Sequence, residues 1–195
     1  MVRRTRAEME QTRATLLAMA RKVFSEQGYA NTSMDDLTAR AGLTRGALYH
    51  HFGDKQGLLA AVVAQIDGEV DERLNRITVT AEDAWEGFQR RCRTYLEMAV
   101  EPDMQRIVLR DARAVLGAAS HASHQQCLAT MQRLVRQLVE GGVMTQADPR
   151  ALAALIYGSL AEAAQWIAQG EDSEARLEQG LEALRLLLRG LLAHR

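Results

Sequence analysis

The stretch from Thr32 to Leu59, TSMDDLTARAGLTRGALYHHFGDKQGLL, limits the fold more tightly than any other part of the chain. It reads as a helix of one to two turns, a glycine turn, and a second short helix. Ser33-Met34-Asp35-Asp36 resembles a capping box, with acids in the first turn where the helix dipole favours them. Met34, Leu37 and Ala41 form the inner face of that first helix, and Gly42 breaks it. Thr44 can cap the second helix, over about residues 45–51, by accepting from the backbone N–H near Ala47. Leu48 and Phe52 then point inward, and Gly53-Asp54 is a break followed by a new cap. This is the pattern of a helix-turn-helix, in which the first helix braces and the second is presented to the DNA major groove.

The surrounding sequence supplies the helices such a motif packs against. Leu16, Leu17, Ala20, Val23 and Phe24 recur at helical spacing over residues 8–27, and Gly28 ends that helix. A long helix over about 54–77 carries Leu58, Leu59, Val62, Val63, Ile66, Val70 and Leu74 on one face. Further helices are expected near 82–100, 102–116, 123–140, 149–169 and 173–193. Pro102 and Pro149 suit first-turn positions, Asp148 is placed to cap, and glycines at 117, 141, 142 and 170 sit where breaks are needed. Only two prolines occur in 195 residues, and Ala, Leu, Arg, Glu and Gln recur, a mix that favours helix over sheet. The expected fold is all-α. A three-helix DNA-binding domain spans residues 1–53, and a larger helical domain spans 54–195. The boundary is expected inside or at the start of the helix at 54–77, so the two parts would be rigidly coupled.

Composition narrows the function. With 47% hydrophobic and 25% charged residues, the chain is globular rather than disordered. No apolar run reaches the roughly 18 residues of a membrane span, and no apolar core follows the N-terminal arginines, so neither a span nor a signal peptide is expected. Cys92 and Cys127 stand far apart and in no ligand-like spacing, which argues against a disulfide framework or a zinc site and suits reduced thiols in the cytoplasm. The net charge is -1, but its distribution is uneven: Arg3, Arg4, Arg6, Arg13, Arg21 and Lys22 face only Glu8 and Glu10 at the N-terminal end. Such a basic end suits either a polyanion or water. No nucleophile–base pair, phosphate loop or metal spacing points to an enzyme, a metal or a cofactor.

Within the motif, Thr44, Arg45, Gly46, Tyr49 and His50 fall on the groove-facing side of the second helix, with Ala47, Leu48, His51 and Phe52 partly toward the bundle. Arg45 can donate two bonds to guanine O6 and N7. Tyr49, His50, Thr44 and Lys55 suit phosphates, which set register rather than read bases. Ser33 and its helix N-terminus could hold a phosphate as well. Gly46 costs helix stability, and a close approach to DNA would explain it. Phe52 reads as core, and Tyr49 as a phosphate contact with a buried ring edge. His50 and His51 are no metal pair, since adjacent helix positions diverge.

These residues resemble the DNA-binding signature of the TetR family of bacterial repressors. The signature is a Thr/Ser cap (Thr32/Ser33), a small-residue turn (Ala41-Gly42-Leu43), Leu48-Tyr49-His50-His51-Phe52, then Lys55 and Leu58-Leu59. The resemblance covers about residues 12–60. It implies an all-helical homodimer whose larger domain binds an inducer and dimerises. Ligand binding would change the separation of two recognition helices that otherwise sit one turn apart on DNA, roughly 34–36 Å.

In the larger domain, Trp85, Phe88, Cys92, Tyr95 and Leu96 share a helical face. Met104, Ile107 and Asp111 run along the next helix, and Cys127, Met131 and Leu134 along a third. Such stripes either fill a core or line a cavity for an apolar or aromatic inducer. Asp111, Arg110, Glu162 and Gln165, the last two near Tyr157 and Trp166, interrupt apolar faces and need partners if buried. A ligand or an ion pair with Arg113 would serve. Arg90, Arg91 and Arg93 beside Cys92 suggest a redox sensor, but periodicity turns that thiol inward. The helices near 149–169 and 173–193 carry more apolar surface than one neighbour can cover, which suggests a partner chain, a second copy. A same-fold DNA-binding regulator without a small-molecule inducer is the competing reading, and a filled core would favour it.

Overall fold

The computed structural model describes residues 5–117 and 121–193, with the backbone alone at 121–124. Arg3 and Arg4 of the basic end lie outside the described residues. Among the described residues nine α-helices follow one another: α1 (Arg6–Gln27), α2 (Met34–Arg40), α3 (Arg45–Phe52), α4 (Lys55–Val79), α5 (Ala84–Glu97), α6 (Arg113–Leu116), α7 (His121–Glu140), α8 (Pro149–Ala168) and α9 (Ser173–Arg189). Between α5 and α6 run a 3-10 turn, Met98–Val100, and a π-wound segment, Met104–Ala112. Among the described residues there is no β-sheet. One antiparallel bridge, Met144 to Leu192, ties the chain after α9 to the α7–α8 loop.

Side-chain caps start most of these helices. Thr5 and Glu8 form a reciprocal capping box on α1, which begins two residues before the apolar periodicity does. Ser33 accepts from the N–H groups of Asp35 and Asp36 to start α2. Thr44 accepts from Ala47, Asp54 from Gly57, and Asp148 from Arg150 and Ala151, each where a short polar residue precedes an apolar run.

Two cores form. The first joins Leu16, Leu17, Ala20 and Phe24 of α1, Leu37 of α2, Leu48 of α3, and Leu58, Leu59, Val62, Val63 and Ile66 of α4. Leu48 is fully buried, and its truncation to alanine would cost about 2–5 kcal/mol. The second core gathers α5, α7, α8 and α9 around Phe88, Leu96, Val135, Leu138, Ile156 and Ile167. Leu74 of α4 belongs to this second core, so one helix serves both.

The π-wound segment lies between the cores and also serves both. Met104 and Leu109 enter the larger core, whereas Ile107 and Ala112 enter the smaller one. The sequence expectation put Met104, Ile107 and Asp111 on one ligand-facing stripe. That stripe assumed 3.6 residues per turn, and π winding redistributes the three side chains.

By length and composition α8 is apolar enough to cross a membrane. Its small and apolar residues Ala153, Ile156, Leu160, Ala164 and Ile167 are buried inside the larger domain, which accounts for one face of the helix.

Candidate nucleic-acid interface

The second helix of the motif, α3, buries Leu48 and exposes Thr44, Arg45, Gly46, Tyr49 and His50. An added Cβ at Gly46 would meet only Thr44 Oγ1, at 3.9 Å. Neither packing nor backbone angle therefore demands glycine there; what it leaves free is the outer surface of the helix. Tyr49 is 44% exposed. Phe52 is half-buried against the first core, with the Arg13 guanidinium 5.4 Å above its ring, and His51 leans toward it.

Arg45 is held by its neighbours. Its Nε lies 3.1 Å from Asp35 Oδ1 and its Nη1 donates to Asp35 Oδ2 at 3.3 Å. Its Nη2 reaches Tyr49 Oη at 3.5 Å, and the guanidinium lies over the tyrosine ring at 5.9 Å. The bond to Tyr49 and the charge of Asp35 both push the Arg45 pKa upward. The base-reading candidate is thus braced against the first helix of the motif. Asp35, whose part the sequence reading missed, sits ten residues away across the turn.

Two expected phosphate contacts are engaged elsewhere in the free chain. Lys55 Nζ lies 4.3 Å from the Tyr29 ring centroid, and partial burial lowers its pKa, an effect that Asp111 opposes. Ser33 is taken up as the α2 cap, with Asp35 and Asp36 beside it. Of the basic end, Arg6 pairs with Glu10 on the surface. Arg21 turns away to bridge Glu69 of α4 at 2.7 Å and Asp103 at 2.6 Å.

The residues proposed for a ligand pocket separate into three groups. Phe88, Cys92 and Met131 are buried together in the larger core, with Trp85 stacked on Phe88 at 6.0 Å and Tyr95 packed alongside. Cys127 is partly buried, and desolvation raises its thiol to about 11 and that of Cys92 to about 12. Asp111 belongs to the junction between the cores: its Oδ2 accepts from the Tyr29 N–H at 2.7 Å and lies 3.7 Å from Arg106 Nε. Ile107 lies in the smaller core. Glu162 is exposed and pairs with Arg113 at 3.4 Å, while Trp166 is partly exposed beneath the Arg176 guanidinium at 4.9 Å.

The sequence reading missed a polar group inside the larger domain. Arg91 of α5 is 4% exposed; it donates to Asn75 Oδ1 at 3.0 Å and lies 3.5 Å from Asp71. Burial lowers the Arg91 pKa, and Asp71 works against that shift. A buried charge survives only with such partners. The signal was available: Asp67, Asp71 and Asn75 recur every four residues beside the apolar face of α4.

Comparison with known proteins decides the family. Residues 16–62 match the bacterial regulatory proteins of the tetR family, and residues 85–191, more than half of the chain, match the tetracyclin repressor-like C-terminal domain. The chain belongs to the TetR family. A crystal structure of a TetR-family transcriptional regulator from Pectobacterium atrosepticum is 73% identical, with a TM-score of 0.92, and the match covers 98% of this chain and 99% of that one. The regulator AcrR of Shigella flexneri is 38% identical over 72 residues, 37% of this chain and 34% of that protein. TtgR of Pseudomonas putida is 36% identical over 83 residues, 43% of this chain and 39% of that protein. The chain therefore matches little more than a third of these two curated relatives. TetR-family membership makes it a DNA-binding transcription regulator, not an enzyme, and gives α2 and α3 their role as its helix-turn-helix.

Proposed function

We propose that this regulator is a cytoplasmic repressor that binds a palindromic operator as a homodimer and is released by a small apolar or aromatic inducer. The DNA-binding part is residues 1–53, and the part that binds inducer and dimerises is 54–195. Operator contacts fall to Arg45 as base reader, with Thr44, Tyr49, His50, Lys55 and Ser33 on phosphates and Gly46 allowing close approach. The inducer falls to the stripe of Trp85, Phe88, Cys92, Tyr95, Cys127 and Met131.

The observation that carries the dimer is the outer face of α8 and α9. Leu155 is 72% exposed, Leu186 57% and Leu187 44%, on two adjacent helices. Apolar surface of this kind on neighbouring helices is what a second copy would cover in a self-complementary, two-fold interface. Two such copies would present two α3 helices, which is why a palindrome is expected. Sedimentation of the Leu155→Glu/Leu186→Glu double variant tests this. The expected outcome is a folded monomer with at least a tenfold loss of operator affinity. A variant that sediments as the wild-type dimer sinks the interface.

One observation favours a second reading, a regulator with no small-molecule inducer: Phe88, Cys92 and Met131 are packed shut in the larger core. Thermal shifts with a panel of small aromatic compounds separate the two readings, since only the first expects a ligand that both stabilises the chain and releases DNA.

A further inference from the structure

A cleft of about 460 Å³ opens where the two cores meet, away from the stripe assigned to the inducer. Its floor is apolar: Ile66 and Val70 come from α4, Met98 from the 3-10 turn, and Met104 from the start of the π-wound segment. Ile66, Met98 and Met104 are all buried, so the floor is part of the packed molecule rather than a loose surface fold. The volume suits a small molecule.

The rim is charged, and its charges are unevenly committed. Glu69 and Asp103 both bind Arg21, at 2.7 and 2.6 Å. Glu101 binds Arg73 at 2.5 Å. Every carboxylate on the rim therefore has an arginine. Arg76, one turn beyond Arg73 on the same face of α4, lines the cleft and makes no ion pair among the described residues. Three arginines and three carboxylates line the rim, so its charges balance, but Arg76 is left as the rim charge without a counter-ion among the described residues, above two methionines whose flexible thioethers accommodate varied apolar shapes.

We propose that this cleft is a second small-molecule site and that it takes an amphipathic anion, with the anionic head on Arg76 and the apolar body along Met98 and Met104. A cation would have to compete with Arg21 and Arg73 for the carboxylates and would meet Arg76, which has no counter-ion among the described residues. A bare anion would reach Arg76 but gain nothing from the apolar lining. Arg21 comes from α1 of the DNA-binding part, whereas Met104 begins the segment that enters the larger core. An occupant would therefore tie the two parts together and act on operator affinity from outside the inducer stripe.

The test uses the full chain without DNA, so it does not depend on the repressor reading. Octanoate, octylammonium and inorganic phosphate are titrated by calorimetry and thermal shift into wild type, Arg76→Ala and Arg76→Lys. Octanoate at millimolar concentration is expected to raise the wild-type Tm by about 2–4 °C. Octylammonium and phosphate are expected to leave it unchanged. Arg76→Ala should weaken octanoate binding about tenfold, and Arg76→Lys should restore part of it, because Arg76 is exposed and its loss leaves the fold intact. The proposal is overturned if octanoate fails to bind, if Arg76→Ala binds it as wild type does, or if octylammonium or phosphate binds equally well.

Discussion

Arg45 is where specificity would be read, and in the free chain its guanidinium is occupied by Asp35. A carboxylate 3.1 Å from a base-reading arginine has two effects. It limits the rotamers of a long side chain before DNA arrives, and it places a negative charge on a face that must approach phosphates. Asp35→Asn should therefore bind unselected duplex DNA several-fold more tightly at low salt while discriminating operator from non-operator less well. Anisotropy titrations at two salt concentrations measure both effects. Equal discrimination would remove Asp35 from the reading apparatus. That Arg45 is a base-reading candidate was legible in the sequence, because a donor fork at the start of a short exposed helix has few other uses. Its brace was not, because the contact joins two helices whose relative rotation the turn alone sets.

Burial raises Cys127 to about 11 and Cys92 to about 12, from an ordinary value of 9.0. A raised thiol pKa means that the folded state holds its proton more tightly than the unfolded state does. The associated stability is complete below pH 9 and is lost as pH climbs toward 11–12. Iodoacetamide should label native protein slowly at pH 8 and label both thiols promptly after denaturation. Rapid native labelling at pH 8 would revive a redox-sensing role, for which a thiol needs exposure and a lowered pKa.

At the scale of the element, the helices followed from periodicity and caps because the 3.6-residue repeat is a property of each segment alone. The π-wound segment did not. Whether residues 104–112 bond to i+4 or i+5 is decided by two cores pulling on one strand of sequence, and no local pattern records that competition. The same junction depends on Gly28. Its φ is +80°, and an added Cβ would lie 2.1 Å from Arg106 Nη2, the group that donates to Gln27 O at the end of α1. Gly28→Ala combines left-handed strain with the loss of that bond, and chemical denaturation should show a cost of about 1–3 kcal/mol. Wild-type stability in this variant would mean that α1 is not fastened to the π-wound segment as described.

In the whole molecule the architecture reduces to two cores sharing α4 and the π-wound segment, with α3 packed on the first and the exposed leucines on α8 and α9 of the second. The first core was legible almost residue by residue, since Leu16, Phe24, Leu37, Leu48 and Leu58 all fall on periodic faces that pack together. The candidate ligand stripe was legible only as apolar. Asp111 departs from it to the junction because periodicity cannot tell which neighbour a helix face meets, and Glu162, a polar interruption of an apolar face, lies in water paired with Arg113. The buried Arg91–Asp71 pair was missed because each member looks like an ordinary surface charge until two helices are brought together.

The proposed repressor would read a two-fold-symmetric DNA site through Arg45 on α3. The most direct test is selection of bound sequences from a random duplex library by wild type and by Arg45→Ala. Wild type is expected to select a palindromic consensus, with half-sites about one helical turn apart. The variant is expected to select the same half-sites with one base position relaxed in each, at a cost of about 1–3 kcal/mol in affinity for the wild-type site. A consensus without two-fold symmetry, or one that Arg45→Ala leaves unchanged at every position, would contradict this reading.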